Sequence, residues 1–481
     1  MIDPQHDLLR DSAENVLHAL AAKRLSAVEL LSEVRARVDS VNPSIQAVVS
    51  TDFDAAERVA AASDARRARG ESVRPLEGLP VAVKDLEQTA GLRTTFGSTF
   101  FADHVPTQDS VTVARMRAAG AVIFGKTNVP EFGAGSHTRN RVFGTTTNPY
   151  DPTRSAGGSS GGAAAALAAG MSIVADGSDM GGSLRNPASF CNVVGLRPSL
   201  GRTPNWPFQD DPWQTLSTNG PMGRTVGDTA LLLSVLSGPE PHSPLSFPAE
   251  REPLNLEAPE SLRIGWSRNL GDLDIAAEVT AVLESEGLST LLSLGHRVRD
   301  REPDLRPADR AFRVLRGLGF VRTHAADLEA KRDRLSAEVV ANTEYGMTLT
   351  VRDYTDALDA RVEAFTTMVD LFEDIDVLAA PVAAVPPFPA EWDWPHDIDG
   401  APQSDYLQWM RPCWRISVTG FVALSVPCGF TPDGLPIGLQ LIAPPGRENL
   451  VLQLAQQFET ALPAWKEVPR VLRTRSSGSR P

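Results

Sequence analysis

Residues 155–187 read SAGGSSGGAAAALAAGMSIVADGSDMGGSLRNP, and the reading of this stretch decides the fold. Two glycine-flanked serine clusters, GGSSGG and MGGS, are joined by a run of small residues and a short apolar segment. A Gly/Ser run standing alone is a flexible linker. Here AAAALAAG follows at once and reads as a tightly packed helix stopped by Gly170. Residues 171–175 read as a buried strand. Glycines and serines set between such elements point to backbone bent to present N–H groups and hydroxyls. A phosphate-binding loop needs Gly-Lys-Ser/Thr after its glycines, and none follows.

Toward the N-terminus, LEGLPVAVKDL (76–86) places Val81 and Val83 on an apolar approach to Lys84, as in a strand that runs into a core. Lysines usually lie on the surface, so this approach singles Lys84 out. Amphipathic helices are expected over 13–22 and 26–40, the second with Val28, Leu31, Val34 and Val38 on one face and a Ser26/Glu29 capping box. A third runs over 54–69 to Gly70. A helix over 110–119 and a strand over 121–125 precede GKTNVPEF (125–132). The irregular segment 133–157 that follows is long enough to be functional. His137 lies in it, but a lone loop histidine is more often a hydrogen-bonding residue than a base.

Toward the C-terminus come VVGLRPSLGR (193–202) and GPMGRTVGD (220–228), a helix over 226–237, a strand over 262–266 and a helix over 274–288. Charged amphipathic helices fill 300–373. A strand is expected over 375–381, then an aromatic, proline-rich loop. ALSVPCGFTPDGLPIGLQLI (423–442) reads as a β-pair, and 447–462 as a closing helix. Alternating helices and strands favour a central mixed sheet covered by helices.

The 481 residues can bury a substantial core. A formal net charge of −14 argues against a nucleic-acid surface. Cys191, Cys413 and Cys428 are odd in number and lack metal spacing, as in a reduced compartment. The start, MIDPQHDLLRDS, does not read as a signal peptide, and no apolar run is long enough to span a membrane. A cytoplasmic protein is expected, with residues 473–481 a disordered tail.

The quoted motifs together resemble the amidase signature family of serine hydrolases over nearly the whole chain. The resemblance implies an α/β fold: one domain over 1–481 with a central mixed twisted sheet and helices on both faces. Residues 1–70 would form an N-terminal helical layer, and about 300–373 a helical insertion near the site. It implies a Ser–cisSer–Lys triad of Ser183 as nucleophile, Ser159 as proton relay and Lys84 as base, with a cis peptide between Gly158 and Ser159.

A serine hydroxyl needs a base to attack a carbonyl. No histidine lies in these motifs, and no Gly-x-Ser-x-Gly surrounds Ser183. Lys84 serves only if neutral, so its pKa must fall by burial. Met180, Gly181, Gly182 and Ser183 would offer backbone N–H groups to the oxyanion. Asp179 and Arg185 read as an ion pair bracing that loop. Ser160 either supports the hydrogen bonding or merely completes a turn. No metal, nucleotide or organic cofactor is called for.

The expected partner is a small-molecule amide or carbamate, with no nucleic acid and no membrane, in a monomer or homodimer. Trp206, Phe208, Trp213, Trp392, Trp394, Tyr406, Trp409 and Trp414 are core packing or cleft lining. If they line the cleft, they favour aryl or apolar amides, anilides, carbamates and esters. The alternative within the family is the amidase subunit of a glutamyl/aspartyl-tRNA amidotransferase. Against it, the loop here is SDMGGSLRN, where that subunit typically has TDTGGSIRQ.

Overall fold

Three N-terminal helices, Ala13–Ala21 (α1), Ala27–Ile45 (α2) and Phe53–Ala68 (α3), begin a computed structural model that describes residues 7–207, 211–248 and 255–473. The capping box starts α2: the Glu29 N–H donates to Ser26 Oγ and the Ser26 N–H to the Glu29 carboxylate. The buried face of α2 includes Leu30, Leu31, Val34 and Val38, while Val28 is only half-buried. These helices share an apolar core with strands Val48–Thr51 (β1), Pro80–Lys84 (β2) and Val122–Thr127 (β3). The strands form a small sheet in the order β1-β3-β2.

The main sheet has eight strands: Val174–Asp179 (β4), Val194–Arg197 (β5), Thr218–Gly223 (β6), Arg263–Trp266 (β7), Arg297–Asp300 (β8), Val377–Pro381 (β9), Val422–Phe430 (β10) and Pro436–Ala443 (β11). Their order is β8-β7-β9-β11-β10-β5-β6-β4. Neighbours β8/β7 and β7/β9 are parallel, and the other pairs are antiparallel. The sheet is therefore mixed, with β10 and β11 paired as the sequence implies.

Lys84 stands at the seam between the two sheets. There side chains replace the backbone ladder: the Lys84 N–H donates to Asp176 Oδ1 at 2.9 Å and the Ala82 N–H to Ser172 Oγ at 3.2 Å. Strand β4 also departs from the sequence reading. It starts at Val174 rather than 171 and runs on through Gly177 and Ser178 to Asp179. Ser172 Oγ, bound to both the Ala82 N–H and the Val174 carbonyl, holds the preceding residues out of the ladder.

Two short helices carry the serine clusters: Gly161–Ala168 (α4) follows Ser160, and Arg185–Phe190 (α5) follows Ser183. Every residue of α4 is buried, which its Gly/Ala composition permits. The helices Pro307–Lys331 (α6), Ala337–Met347 (α7) and Val351–Asp374 (α8) occupy the 300–373 segment, and Arg411–Thr419 (α9) packs against α6. Among the described residues, no helix is long and apolar enough to cross a membrane. The expected tail beyond Arg473 lies outside the described residues.

Candidate active site

Lys84, Ser159 and Ser160 meet in a fully buried cluster. Lys84 Nζ lies 3.0 Å from Ser159 Oγ, 2.7 Å from Ser160 Oγ and 2.9 Å from Ser178 Oγ. Burial pushes the Lys84 amine down to about 8, against the opposing pull of Asp176, Glu87 and Asp179. The Gly158–Ser159 peptide is cis. The neighbouring Gly158 N–H donates to Asn186 Oδ1 at 3.1 Å. Ser160 is therefore more than a turn residue, since it accepts a hydrogen bond from the lysine.

Ser183 joins this cluster through the backbone: the Ser160 N–H donates to the Ser183 carbonyl at 3.3 Å. Its side chain lines a cavity of about 420 Å³ together with Ser159, Ser178 and Met180. Its hydroxyl makes no hydrogen bond to the described residues. Catalytic hydrogen bonds are often long before substrate binds.

Asp179 organises the loop between β4 and α5. It accepts the Gly182 N–H at 2.9 Å, the Leu184 N–H at 3.2 Å, and Arg185 Nη2 and Nε at 2.9 and 3.0 Å. Burial alone would raise its carboxyl, but Arg185, Arg197 and the Gly182 N–H outweigh it and hold the group below the ordinary carboxylate range. Gly182 thus departs from the sequence expectation. Its N–H is committed to Asp179, so it braces the loop instead of facing an oxyanion. Its φ of +111° and the closeness of Cys413 explain the glycine: an added Cβ would sit 2.4 Å from Cys413 Cβ.

Sequence reasoning missed Asp176 and Ser178. Both face Lys84, and the signal was periodicity: once β4 is extended to Asp179, positions 176 and 178 share one face of the strand. Lys126 was also missed. It is a second fully buried lysine on β3, donating to the Glu87 carbonyl and, at 2.8 Å, to Thr89 Oγ1. His137 is a structural residue. Nε2 contacts the Ala390 carbonyl at 2.9 Å, Nδ1 contacts Ser155 Oγ at 2.8 Å, and burial pushes the ring down to about 4.

The aromatic residues divide. Trp409 and Trp414 are fully buried core, and Tyr406 is nearly so. Trp206 stacks on His242, and Trp392 is exposed. Trp394 is half-buried and packs on the main core. Phe208 lies outside the described residues. Of the residues singled out, Trp213 lines the cavity, joined by Phe132, Phe320 and Tyr354. The last two stand on α6 and α8, whose polar-looking sequence hid them. Among the described residues, no group of three or more His, Cys, Asp or Glu could hold a metal ion.

The chain belongs to the amidase signature family: a family model described as Amidase matches residues 29–452. It is 36% identical to an acylamidase of Rhodococcus erythropolis over 94% of this chain and 95% of that one. It is 35% identical to a glutamyl-tRNA(Gln) amidotransferase subunit of Picosynechococcus, over 95% and 99%. A bacterial aryl acylamidase of the amidase signature family superposes with a TM-score of 0.87 at 27% identity, covering 94% of this chain and 96% of that one. The family and these acylamidase relatives make the chain an amide hydrolase.

Proposed function

We propose that the protein cleaves the C–N bond of small linear amides with an apolar or aryl part, through an acyl-enzyme on Ser183. The observation that carries this is the set of three hydroxyls around Lys84 Nζ in a buried pocket beside Ser183. A neutral amine has two N–H donors and one lone pair. Ser160 and Ser178 take the two donors, which turns the lone pair to Ser159. Ser159 passes its proton to Lys84 as it takes the Ser183 proton, and Ser183 Oγ adds to the carbonyl carbon.

The negative oxygen then faces the amides of Met180, Gly181 and Ser183, each worth about 3 kcal/mol. The relay runs back to protonate the leaving nitrogen and the C–N bond breaks. Water attacks the acyl-enzyme by the same path, releases the acid and restores Ser183. Carbamates and esters differ only beside the carbonyl, so the same steps serve them. The helices of 300–373 are the wall that sets substrate choice.

The test is a panel of anilides, aliphatic amides, aryl carbamates, esters and glutamine, with wild type and Ser183→Ala. Hydrolysis of anilides that Ser183→Ala abolishes is expected; a Ser183→Ala variant that keeps its activity overturns the reading. The similarity to the amidotransferase relative supports a second reading, in which the protein passes ammonia from glutamine to a partner. Glutamine turnover without anilide turnover would favour it.

A further inference from the structure

Arg316 on α6 lines the cavity and is only 6% exposed. Its Nε donates to Asn342 Oδ1 at 3.0 Å, its Nη2 to Tyr406 OH at 2.8 Å, and its Nη1 contacts Met180 Sδ at 3.1 Å. All three acceptors are neutral. Among the described residues, no carboxylate lies within ion-pair distance of it. The guanidinium stands 4.6 Å from the Phe320 ring centroid, and such a contact offsets part of the cost of burying a charge. An isolated buried cation is otherwise expensive and is normally paired. Three of its five N–H donors are engaged, which leaves two.

A second cation shares this condition. Arg361 on α8 also lines the cavity. It donates to the Val418 carbonyl and to Thr215, and burial pushes its guanidinium down with no acid opposing. The cavity carboxylates are engaged elsewhere: Glu87 with Asn219 and Ser110, Asp211 with the Trp213 N–H. Among the described residues, a chain of net charge −14 thus turns two buried or half-buried cations without an acid partner, besides the exposed Arg322, into one cavity.

We infer that Arg316 binds a carboxylate on the substrate, so that the preferred substrates are amides whose acyl or amine half ends in a carboxylate beyond an apolar stretch. This rests on Ser183 as the nucleophile. The apolar stretch lies along Phe132 and Phe320, and the carboxylate takes the two remaining N–H groups in the forked geometry that suits guanidinium. Because Arg316 also touches the Met180 side chain, the carboxylate docks next to the oxyanion loop.

The experiment compares matched 4-nitroanilides of adipic acid (one carboxyl free) and hexanoic acid. A second pair carries the charge on the amine side, as hexanoyl-4-aminobenzoate and its methyl ester. Wild type prefers the carboxylate member of at least one pair in kcat/KM. Arg316→Met lowers that preference by about 10- to 100-fold, and Arg316→Lys recovers part of it. Wild-type indifference in both pairs overturns the inference without any variant. An unchanged ratio in Arg316→Met, with both members falling together, also overturns it and leaves Arg316 as a brace for Met180. Ser183→Ala separates the two readings. Activity that survives it sinks the nucleophile; activity that it abolishes, with a preference indifferent to Arg316, sinks only the carboxylate site.

Discussion

Asp179 and Arg185 form a two-contact ion pair with both side chains wholly buried, across the loop that carries Ser183. Arg185 continues to the Cys413 carbonyl, Gln440 and Ser417, so one guanidinium ties the loop to α9 and β11. Removing Arg185 takes away the closer of two buried cations that face Asp179, leaving Arg197 at 3.4 Å and the loop N–H groups, and it empties the contacts to Cys413, Gln440 and Ser417. Arg185→Met is expected to lose about 3–5 kcal/mol of unfolding free energy. A urea titration checks this, and a loss below about 1 kcal/mol would contradict the bracing role.

Lys84 must be deprotonated to act, and its amine sits at about 8. Activity on an anilide should therefore climb about tenfold per pH unit below 8 and level above it. Measuring kcat/KM between pH 6 and 10 decides the matter. A flat profile over pH 6–9, with chemistry limiting, would exclude a neutral lysine base.

The same group makes a statement about stability. Its folded pKa, about 8, lies below the ordinary 10.5. Between these values the unfolded chain binds more protons than the native one, so this contribution rises with pH over that window. It is fully present above the unfolded value and lost as pH falls through the folded one. The unfolding free energy of wild type relative to Lys84→Met should gain about 3 kcal/mol from pH 7 to pH 11. Denaturant titrations at the two pH values read this difference, and no gain would mean the amine is not depressed.

The small-residue helix and its glycine stop were legible from residue types alone, whereas the role of the Gly182 N–H was not. The all-buried α4 follows from its Gly/Ala composition, its end from Gly170 at φ +68°, and the Asp179–Arg185 pair from two opposite charges flanking one loop. What stayed hidden depends on long-range contact. Ser178 lies beyond the strand expected over 171–175, and only pairing with Asn219 on β6 extends the strand through it. Phe132, Phe320 and Arg316 converge on the cavity from segments whose local pattern says nothing of their meeting. Trp409 and Trp414 drew attention by size and went to the core, where large rings find most contact, while Trp392 stays exposed.

Gly182 tests the loop geometry. A side chain there would need a left-handed backbone and would collide with Cys413. Gly182→Ala is expected to lower kcat at least about a hundredfold, because the Met180 and Gly181 amides shift with it. Steady-state kinetics on an anilide reads the loss. A variant with wild-type kcat would show that this loop does not stabilise the oxyanion.

Ser178 accepts a hydrogen bond from Lys84 Nζ at 2.9 Å. An acceptor bonds a charged ammonium more strongly than a neutral amine, so its removal disfavours the charged form. In Ser178→Ala the acid limb of the rate profile should therefore move to lower pH, by roughly 0.5–1 unit. The plateau should fall as well, since one of the two contacts that turn the lone pair toward Ser159 is gone. A limb displaced to higher pH would mean that Ser178 donates to the amine, and the orientation assigned to Lys84 would have to be reversed.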